Sequence, residues 1–370
     1  MSTTTASTTD SIDALVASSI AVIAAGQALS GAYVASPTFS QYGYSWLRDG
    51  SYIALGMDAA GEVASAERFH GWTAGVIEGQ AARIAQLLEA IEAGIPPAEL
   101  AMLPARYRLD GVQEDPSDAD WPNFQLDGYG TWLFALHVHL GGVLDERYRR
   151  AVELAAGYVD ATWMLPCYDY WEEFGDRQHT STLAALAAGL RAAARLLGRG
   201  DYDSTADAIM TFVRESCVSD GSFVKGPHDD RVDASLLSLR TPFGLVAADD
   251  PVLLRTADRI RSELASPTGG IRRYVGDTYF GGSPWLLLTA WLGWHDRLHG
   301  RVDGAVAALA WVRSRASTAG TLPEQDVREP QAPEMVAEWT ERWGAAADPL
   351  LWSHGKYLLL EFGGPVAEWM

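Results

Sequence analysis

Tyr168-Asp169-Tyr170-Trp171-Glu172-Glu173-Phe174-Gly175 is a stretch that sets two adjacent carboxylates among large aromatic rings. It lies just upstream of residues 181–197, where Leu183, Leu186 and Leu190 recur at helical period and predict an α-helix with one apolar face. An aromatic or acidic loop that leads into an amphipathic helix recurs along the chain. We therefore predict the fold from this repeated pairing of a loop with the helix that follows it.

Helical signals dominate the sequence, and almost no segment alternates at strand period. The expected helices span 12–25, 52–58, 62–93, 131–140, 146–165, 181–197, 202–218, 232–239, 249–264, 284–299, 302–315 and 349–362. Long aromatic or glycine-rich loops fall at roughly every second junction, and the longest is 94–124. This alternation predicts an all-α fold of about twelve helices, in which helix pairs close into a toroid with the long loops on one rim.

The chain has 370 residues, which is more than one ordinary core holds, so two domains or one large closed architecture are the options. No linker-like segment divides the sequence. We therefore expect a single domain over residues 1–370.

The charge balance disfavours several classes of partner. Lys and Arg number 28 against 48 Asp and Glu, which gives a formal net charge of −20. Such a surface repels phosphate backbones and anionic lipid, so neither nucleic acid nor a membrane is an expected partner. The apolar run 14–25 is too short to span a bilayer, and Asp10 and Asp13 precede it where a secretory signal would carry basic residues.

Cysteine and histidine usage points to a cytoplasmic protein without a metal or cofactor. Cys167 and Cys217 are the two cysteines, too few for a disulfide framework, and the aromatic and acidic neighbours of Cys167 disfavour a reactive thiolate. His137 and His139 are two apart on a predicted helix and so face different ways. Since no histidine pairs with a carboxylate at metal-ligand spacing, no metal site is expected.

Two groups of neighbouring residues have side chains suited to catalysis or ligand binding. Burial beside aromatic rings and a neighbouring carboxylate could keep Glu172 or Glu173 protonated as a general acid, although residue type alone favours a helix start beside a core Trp171. Arg48 and Asp49 could form a fork that grips adjacent sugar hydroxyls, or a purely structural ion pair at a helix start.

Seven stretches, in order, resemble the catalytic domain of the glucoamylase family, glycoside hydrolase family 15. They are Ser30 to Pro37, Tyr42 to Asp49, Gln125 to Gly130, Tyr170 to Glu173, Arg273 to Tyr279, Leu322 to Gln325 and Leu351 to His354. The resemblance implies an (α/α)6 barrel and an inverting exo-hydrolase that removes glucose from the non-reducing end of α-glucosides.

By position, Glu172 resembles the general acid of the family and Glu324 its general base. Inversion places a water between the base and the anomeric carbon, so the resemblance implies carboxyl groups about 6.5–9.5 Å apart across a pocket.

The remaining site residues also follow from the resemblance. Arg48, Asp49 and Arg273 resemble the clamp on the terminal glucose, and Tyr42 resembles a tyrosine beside the developing oxocarbenium ion. Trp121 and Glu173 resemble contacts on the leaving-group side, and Gln325 resembles a residue that holds the attacking water. The aromatic residues expected along the substrate pocket are Tyr170, Trp171, Trp46 and Trp285, the last two being equally compatible with core positions.

The expected substrate is a small α-glucoside, with isomaltose-type substrates preferred. The chain lacks the β-sandwich and starch-binding module of many relatives, so we expect a catalytic domain alone, as a monomer or weak homo-oligomer. Maltooligosaccharides or trehalose remain alternatives within the family, and an inactive sugar-binding protein is an alternative of another class. A phosphorylase is disfavoured because Asp326, Glu329 and Glu334 follow Glu324 where a phosphate cradle would be needed.

Overall fold

The computed structural model describes residues 8–96, 100–114 and 121–369. These residues form thirteen α-helices: α1 Thr8–Ala25, α2 Leu47–Ala59, α3 Val63–Gly79, α4 Ala81–Glu92, α5 Asp127–His139, α6 Arg149–Thr162, α7 Thr180–Leu197, α8 Gly200–Ser216, α9 Pro251–Glu263, α10 Leu286–Leu298, α11 Val302–Arg313, α12 Pro333–Trp343 and α13 Leu351–Phe362. Short 3-10 helices span Ser40–Tyr42, Glu146–Tyr148, Ala234–Leu239 and Tyr279–Gly281. Two antiparallel pairs of two-residue strands complete the elements: β1 Ser45–Trp46 with β2 Arg106–Tyr107, and β3 Val218–Ser219 with β4 Ser222–Phe223.

Six elements pack side by side into a closed inner ring. In order around the ring they are α2, α5, α7, the 3-10 helix Ala234–Leu239, α10 and α13, and α13 packs back against α2. Most of their residues are buried, because each of these elements contacts neighbours on several sides.

The outer ring consists of α1, α3, α6, α8, α9 and α11, each packed against an inner element. The two rings alternate along the chain, so the structure is the (α/α)6 barrel that the sequence predicts, with α4 and α12 as additions.

Glycines allow the closest approach between inner helices. A Cβ on Gly189 of α7 would lie 2.6 Å from the Cα of Gly130 in α5, and one on Gly56 of α2 would lie 2.6 Å from the carbonyl oxygen of Gly355 in α13. No side chain fits such a contact without moving a backbone, so the small residues set how tightly the ring closes.

The long loops lead from outer helices into the N-terminal ends of inner elements, and they gather on one rim. In the described part of the chain, the loop 94–124 contributes β2, while residues 97–99 and 115–120 lie outside the described residues. Across the same described ranges, no helix has the length and apolar character needed to cross a bilayer.

Two helix predictions were wrong in detail, and one helix was missed. The segment 62–93 divides at Gln80 into α3 and α4, and 232–239 is a 3-10 helix over Ala234–Leu239. The helix α12 was not predicted. Asp250 caps α9 as the Asp-Asp-Pro sequence suggests, because its carboxylate accepts hydrogen bonds from the backbone N–H groups of Val252 and Leu253.

Candidate active site

A cavity of about 610 Å³ opens at the rim where the long loops gather. Of the predicted site residues, it is lined by Tyr42, Trp46, Arg48, Asp49, Trp121, Tyr170, Trp171, Glu172, Glu173, Arg273, Trp285 and Glu324. Gln325 is absent from this lining and instead lies behind Glu324, buried against it. The fold thus brings together residues that are up to about 280 positions apart in the sequence.

Glu172 occupies a turn, and α7 begins only at Thr180, so the interpretation of Glu172 and Glu173 as a helix start was wrong. The φ angle of Glu172 is +67°, a left-handed conformation that costs a non-glycine residue about 1–3 kcal/mol. This backbone aims the carboxyl group into the cavity, where Oε1 accepts a 2.6 Å hydrogen bond from Nε1 of Trp46. Burial raises the pKa of Glu172 above its ordinary value, and the Arg48 guanidinium, 3.8 Å away, opposes the rise.

A buried carboxylate holds this turn in place. Oδ1 of Asp169 accepts hydrogen bonds from the backbone N–H groups of Trp171 and Glu173, at 2.8 and 2.9 Å. Its other oxygen pairs with Nζ of Lys225 at 2.7 Å, and the same ammonium pairs with Asp233 at 2.7 Å. Asp233 in turn accepts a hydrogen bond from the indole N–H of Trp171. The strained conformation is therefore fixed from both ends of the turn.

Glu324 is 1% exposed, and burial raises its pKa to about 7. Two donors favour its ionised form: the hydroxyl of Tyr42 at 2.9 Å and the amide of Gln325 at 3.2 Å. The hydroxyl of Tyr279 lies 2.9 Å from that of Tyr42. Because Tyr42 gives its single proton to Glu324, Tyr279 is the donor in this second bond.

The buried part of the cavity lining carries a fork of charges. Arg48 donates hydrogen bonds to Gln125 at 2.7 Å and to Asp127 at 3.0 Å. Its Nε atom faces Oδ1 of Asp49 at 3.4 Å, and neither atom makes a hydrogen bond among the described residues. Burial raises the pKa of Asp49 to about 7, while Arg48 opposes the rise. Arg48 and Asp49 thus form an ion pair at the start of α2 and also present polar atoms to a ligand.

Comparison with known proteins identifies this arrangement. The profile of the family described as Glycosyl hydrolases family 15 matches residues 10–358. The chain belongs to glycosyl hydrolase family 15. It is therefore an inverting glycoside hydrolase, as the resemblance implied.

Individual relatives agree with the family assignment. An isomaltose glucohydrolase of Kribbella flavida is 42% identical over 349 residues, which cover 92% of this chain and 90% of the relative. A solved glycosidase variant in complex with glucose matches with a TM-score of 0.90 at 40% identity, over 96% of this chain and 98% of that one. A bacterial glucoamylase complexed with acarbose matches in fold, with a TM-score of 0.74 at 21% identity over 94% of this chain and 55% of that one.

In this family 15 hydrolase, Arg273 is held between two acidic side chains. Its Nε donates a 2.7 Å hydrogen bond to Asp277, and its terminal nitrogen lies 3.4 Å from Glu173. Tyr274 donates a hydrogen bond to the other oxygen of Glu173. Glu173 is thereby fixed at the cavity wall beside Glu172, and burial raises its pKa despite the nearby Arg273.

Aromatic rings make up much of the remaining wall. Trp171 and Trp285 pack with centroids 5.7 Å apart, and Trp46 meets Trp121 edge-on at 6.1 Å. Both Trp46 and Trp285 are largely buried and also line the cavity, so each has a position in the core and in the cavity wall.

Several lining residues of the family 15 hydrolase were missed. Arg106 lies over Trp121 with its guanidinium carbon 4.3 Å from the ring centroid, and it forms a 2.8 Å ion pair with Glu114. Helix α12 adds Trp339, Arg342 and Trp343 to the mouth of the cavity. Other missed lining residues include Tyr279 and Trp352. Pro333 at the first turn of α12 was the available sequence signal, because proline is favoured there.

Proposed function

We propose that this protein is an exo-acting α-glucosidase that releases β-D-glucose from the non-reducing end of isomaltose and short isomaltooligosaccharides. One observation carries the proposal: the partly buried carboxyl group of Glu172 and the fully buried carboxyl group of Glu324 line the same cavity. Two carboxyls that face one pocket supply the acid and the base that inverting hydrolysis requires.

The shape of the cavity supports exo action. Its closed end holds the buried side chains of Arg48, Asp49 and Trp352, whereas Arg342 at the mouth is exposed. A pocket closed at one end accepts the end of a glucoside and cannot enclose the middle of a long chain. The buried fork at that end would leave polar atoms unpaired if an epimer lacked a matching hydroxyl.

In the proposed reaction, Glu172 donates its proton to the glycosidic oxygen as the bond to the anomeric carbon breaks. A water on the opposite face attacks that carbon, and Glu324 accepts the water's proton. The α-glycoside therefore yields β-glucose. Hydrogen bonds from Tyr42 and Gln325 support the role of Glu324 because both favour its ionised form.

The preference for α-1,6 linkages is supported by the Kribbella flavida relative, which matches this chain along nearly its whole length. We further propose that residues 1–370 act as one catalytic domain in the cytoplasm, as a monomer or weak homo-oligomer. The free, buried Cys167 and Cys217 are compatible with a reducing compartment.

The test is to incubate the purified protein with isomaltose, maltose, trehalose and panose and to follow released glucose by proton NMR. We expect fastest hydrolysis of isomaltose and early accumulation of the β-anomer before mutarotation. Early α-glucose would contradict the roles assigned to Glu172 and Glu324. Faster release of glucose from maltose or trehalose would mean that this sugar, and not isomaltose, is the preferred substrate. Binding of glucose without hydrolysis of any of the four would favour a sugar-binding protein.

A further inference from the structure

Two histidines and one aspartate meet at a place remote from the cavity. Asp58 lies in the last turn of α2, His70 lies within α3 and His139 is the last residue of α5. One ring nitrogen from each histidine and one carboxylate oxygen all lie within 4.8 Å of one another. Sequence spacing gave no sign of this group, because its members come from three separate helices.

The cluster lies at the ends of α2 and α5 that point away from the cavity. Arg48 and Asp127 mark the other ends of these helices and bond to each other beside the cavity. At a rise of about 1.5 Å per residue, Asp58 is roughly 15 Å along α2 from Arg48, and His139 is roughly 18 Å along α5 from Asp127. The cluster is therefore separate from the hydrolytic machinery.

His70 is the member that ordinary packing does not explain. It is fully buried, and neither of its ring nitrogens has a hydrogen-bond partner among the described residues. Leaving a buried polar group without a hydrogen-bond partner destabilises the folded state, so native proteins generally satisfy such groups. The ring of His139 lies 4.8 Å from that of His70, centroid to centroid. A cation between the two rings would satisfy both imidazoles.

The third member supplies negative charge. Nδ1 of His139 lies 3.0 Å from both oxygens of Asp58, whose side chain is 18% exposed. The site is thus buried on the His70 side and open to solvent on the Asp58 side, which gives an entry path and room for a water ligand. Burial lowers the pKa of His70 well below its ordinary value, which keeps its imidazole in the neutral, ligating form.

We propose that Asp58, His70 and His139 form a binding site for a divalent transition metal, with Zn²⁺ as the best match. Two imidazoles and one carboxylate are typical Zn²⁺ ligands, whereas Mg²⁺ and Ca²⁺ prefer oxygen ligands alone. Nitrogen and oxygen ligands of a tetrahedral Zn²⁺ lie about 3.3 Å apart, so small side-chain rotations close the site around the ion. The metal would fasten inner helices α2 and α5 to outer helix α3.

The probe is Co²⁺, which replaces Zn²⁺ in such sites and reports its coordination by visible absorption. Chelator-treated wild-type protein is titrated with Co²⁺, and Zn²⁺ is then added as a competitor. We expect saturation at one Co²⁺ per chain, intense bands of a four- or five-coordinate ion, and their loss on addition of Zn²⁺. Zn²⁺ should also raise the thermal unfolding midpoint and leave kcat unchanged.

Asp58→Asn and His139→Gln test the ligands. Since loss of an outer-shell partner alone costs about 10–100-fold in metal affinity, loss of a ligand should weaken Co²⁺ binding at least about tenfold. His137→Gln is the matched control, because His137 lies on the same helix and outside the cluster, and it should bind Co²⁺ like wild type. Circular dichroism verifies the fold of each variant.

Two results would overturn the proposal. One is a wild-type Co²⁺ spectrum that stays that of the hydrated ion. The other is equal Co²⁺ affinity in wild type, Asp58→Asn and His139→Gln, which would place the metal at a different site.

Discussion

The hydroxyl of Tyr42 lies 2.9 Å from Oε1 of Glu324 and donates a hydrogen bond to it. This bond favours the ionised carboxyl, whereas burial raises the pKa of Glu324 to about 7. In Tyr42→Phe the pKa of Glu324 should rise further, because a donor to the charged form is lost. Below that pKa a smaller fraction of enzyme then holds an ionised base. We expect kcat/KM to fall roughly ten- to a hundredfold at pH 6, with a smaller loss at pH 8.

Tyr279→Phe is the control for this prediction. It removes the hydroxyl that donates to Tyr42 and leaves the bond from Tyr42 to Glu324 in place. Its pH profile should therefore move less than that of Tyr42→Phe. Equal losses at all pH values in Tyr42→Phe would show that Tyr42 does not act through the ionisation of Glu324.

Glu172→Gln should separate the general acid from the general base. Without an acid, kcat on isomaltose should fall about a hundredfold to ten-thousandfold, while glucose binding measured by calorimetry stays near that of wild type. A substrate with a good leaving group, such as α-glucosyl fluoride, needs no protonation and should retain much of its rate. Glu324→Gln should lose activity on both substrates. If both variants lost the fluoride reaction equally, the role of Glu172 as acid would be wrong.

Lys225→Met should damage both stability and catalysis. It would leave Asp169 and Asp233 buried without their shared cation, and removal of one partner of a buried ion pair costs about 3–5 kcal/mol. Because Asp169 holds the turn of Glu172, kcat should fall with little change in KM. The two effects are measured by urea unfolding and steady-state kinetics.

The pH dependence of this loss follows from Asp169. Although burial opposes it, the Lys225 ammonium holds the pKa of Asp169 below its ordinary value, so its stabilisation is present above about pH 4 and is lost as pH falls through the folded pKa. In Lys225→Met, burial without the cation should raise the pKa of Asp169, so its carboxyl group is protonated in the folded state at low pH and the loss should be larger at pH 7 than at pH 4. Arg231→Met, which breaks the half-buried pair with Asp229, is the control and should cost less. A stability loss independent of pH would argue that Lys225 acts through packing.

Helix α12 should contribute to binding on the leaving-group side, because its residues line the mouth of the cavity. Trp343→Ala is expected to raise KM for isomaltose about 5–30-fold, equivalent to about 1–2 kcal/mol of lost contact, with a smaller change in kcat. Inhibition by glucose at the closed end should be unaffected. Glu338→Ala changes an exposed residue of the same helix outside the lining and should behave like wild type. An unchanged KM in Trp343→Ala would show that α12 does not contribute to substrate binding.

The inner ring was largely predictable because its helices bury nearly all their surface. The apolar period of 181–197 matches α7 within a residue at its start, since burial demands apolar side chains there. Helix α12 buries none of its residues fully and packs mainly against the turn Tyr279–Gly281. Its position depends on contacts between distant parts of the chain, which local periodicity does not reveal.

The candidate active site likewise has features that the sequence predicts and features that depend on contacts between distant residues. Local sequence marks Glu172 as a candidate because it lies within an aromatic loop, and the resemblance carried by seven stretches in order selects it as the general acid. The ion pair that supports the turn of Glu172 cannot be recognised from local sequence, because Lys225 is 56 residues from Asp169 and reaches it only through the fold. The left-handed φ of Glu172 likewise runs against its residue type, which favours an ordinary turn or a helix start.

Lys225 and Lys356 are the only lysines in the sequence. Lys225 is buried with two carboxylate partners, whereas Lys356 is buried without one in the described part of the chain. Lys356 is fully buried in α13, and its Nζ has no hydrogen-bond partner among the described residues. It lies 3.3 Å from the ring centroids of both Tyr52 and Trp291. Burial lowers the pKa of Lys356 well below its ordinary value, and the Asp49 carboxylate opposes this. Between the folded and unfolded pKa values the unfolded chain binds an extra proton, so stability rises with pH across that window.

Lys356→Met should therefore stabilise the protein at pH 7, by about 1–3 kcal/mol, because it removes a buried polar group that lacks a partner. The unbranched thioether fits the space of the lysine stem and packs well against aromatic rings. The rise of stability between about pH 7 and pH 10, measured by urea unfolding, should also become shallower, since the titrating amine is gone. Loss of stability in Lys356→Met at pH 7 would instead mean that the ammonium stays charged and is held by the faces of Tyr52 and Trp291, with the cation–π attraction exceeding the cost of burial.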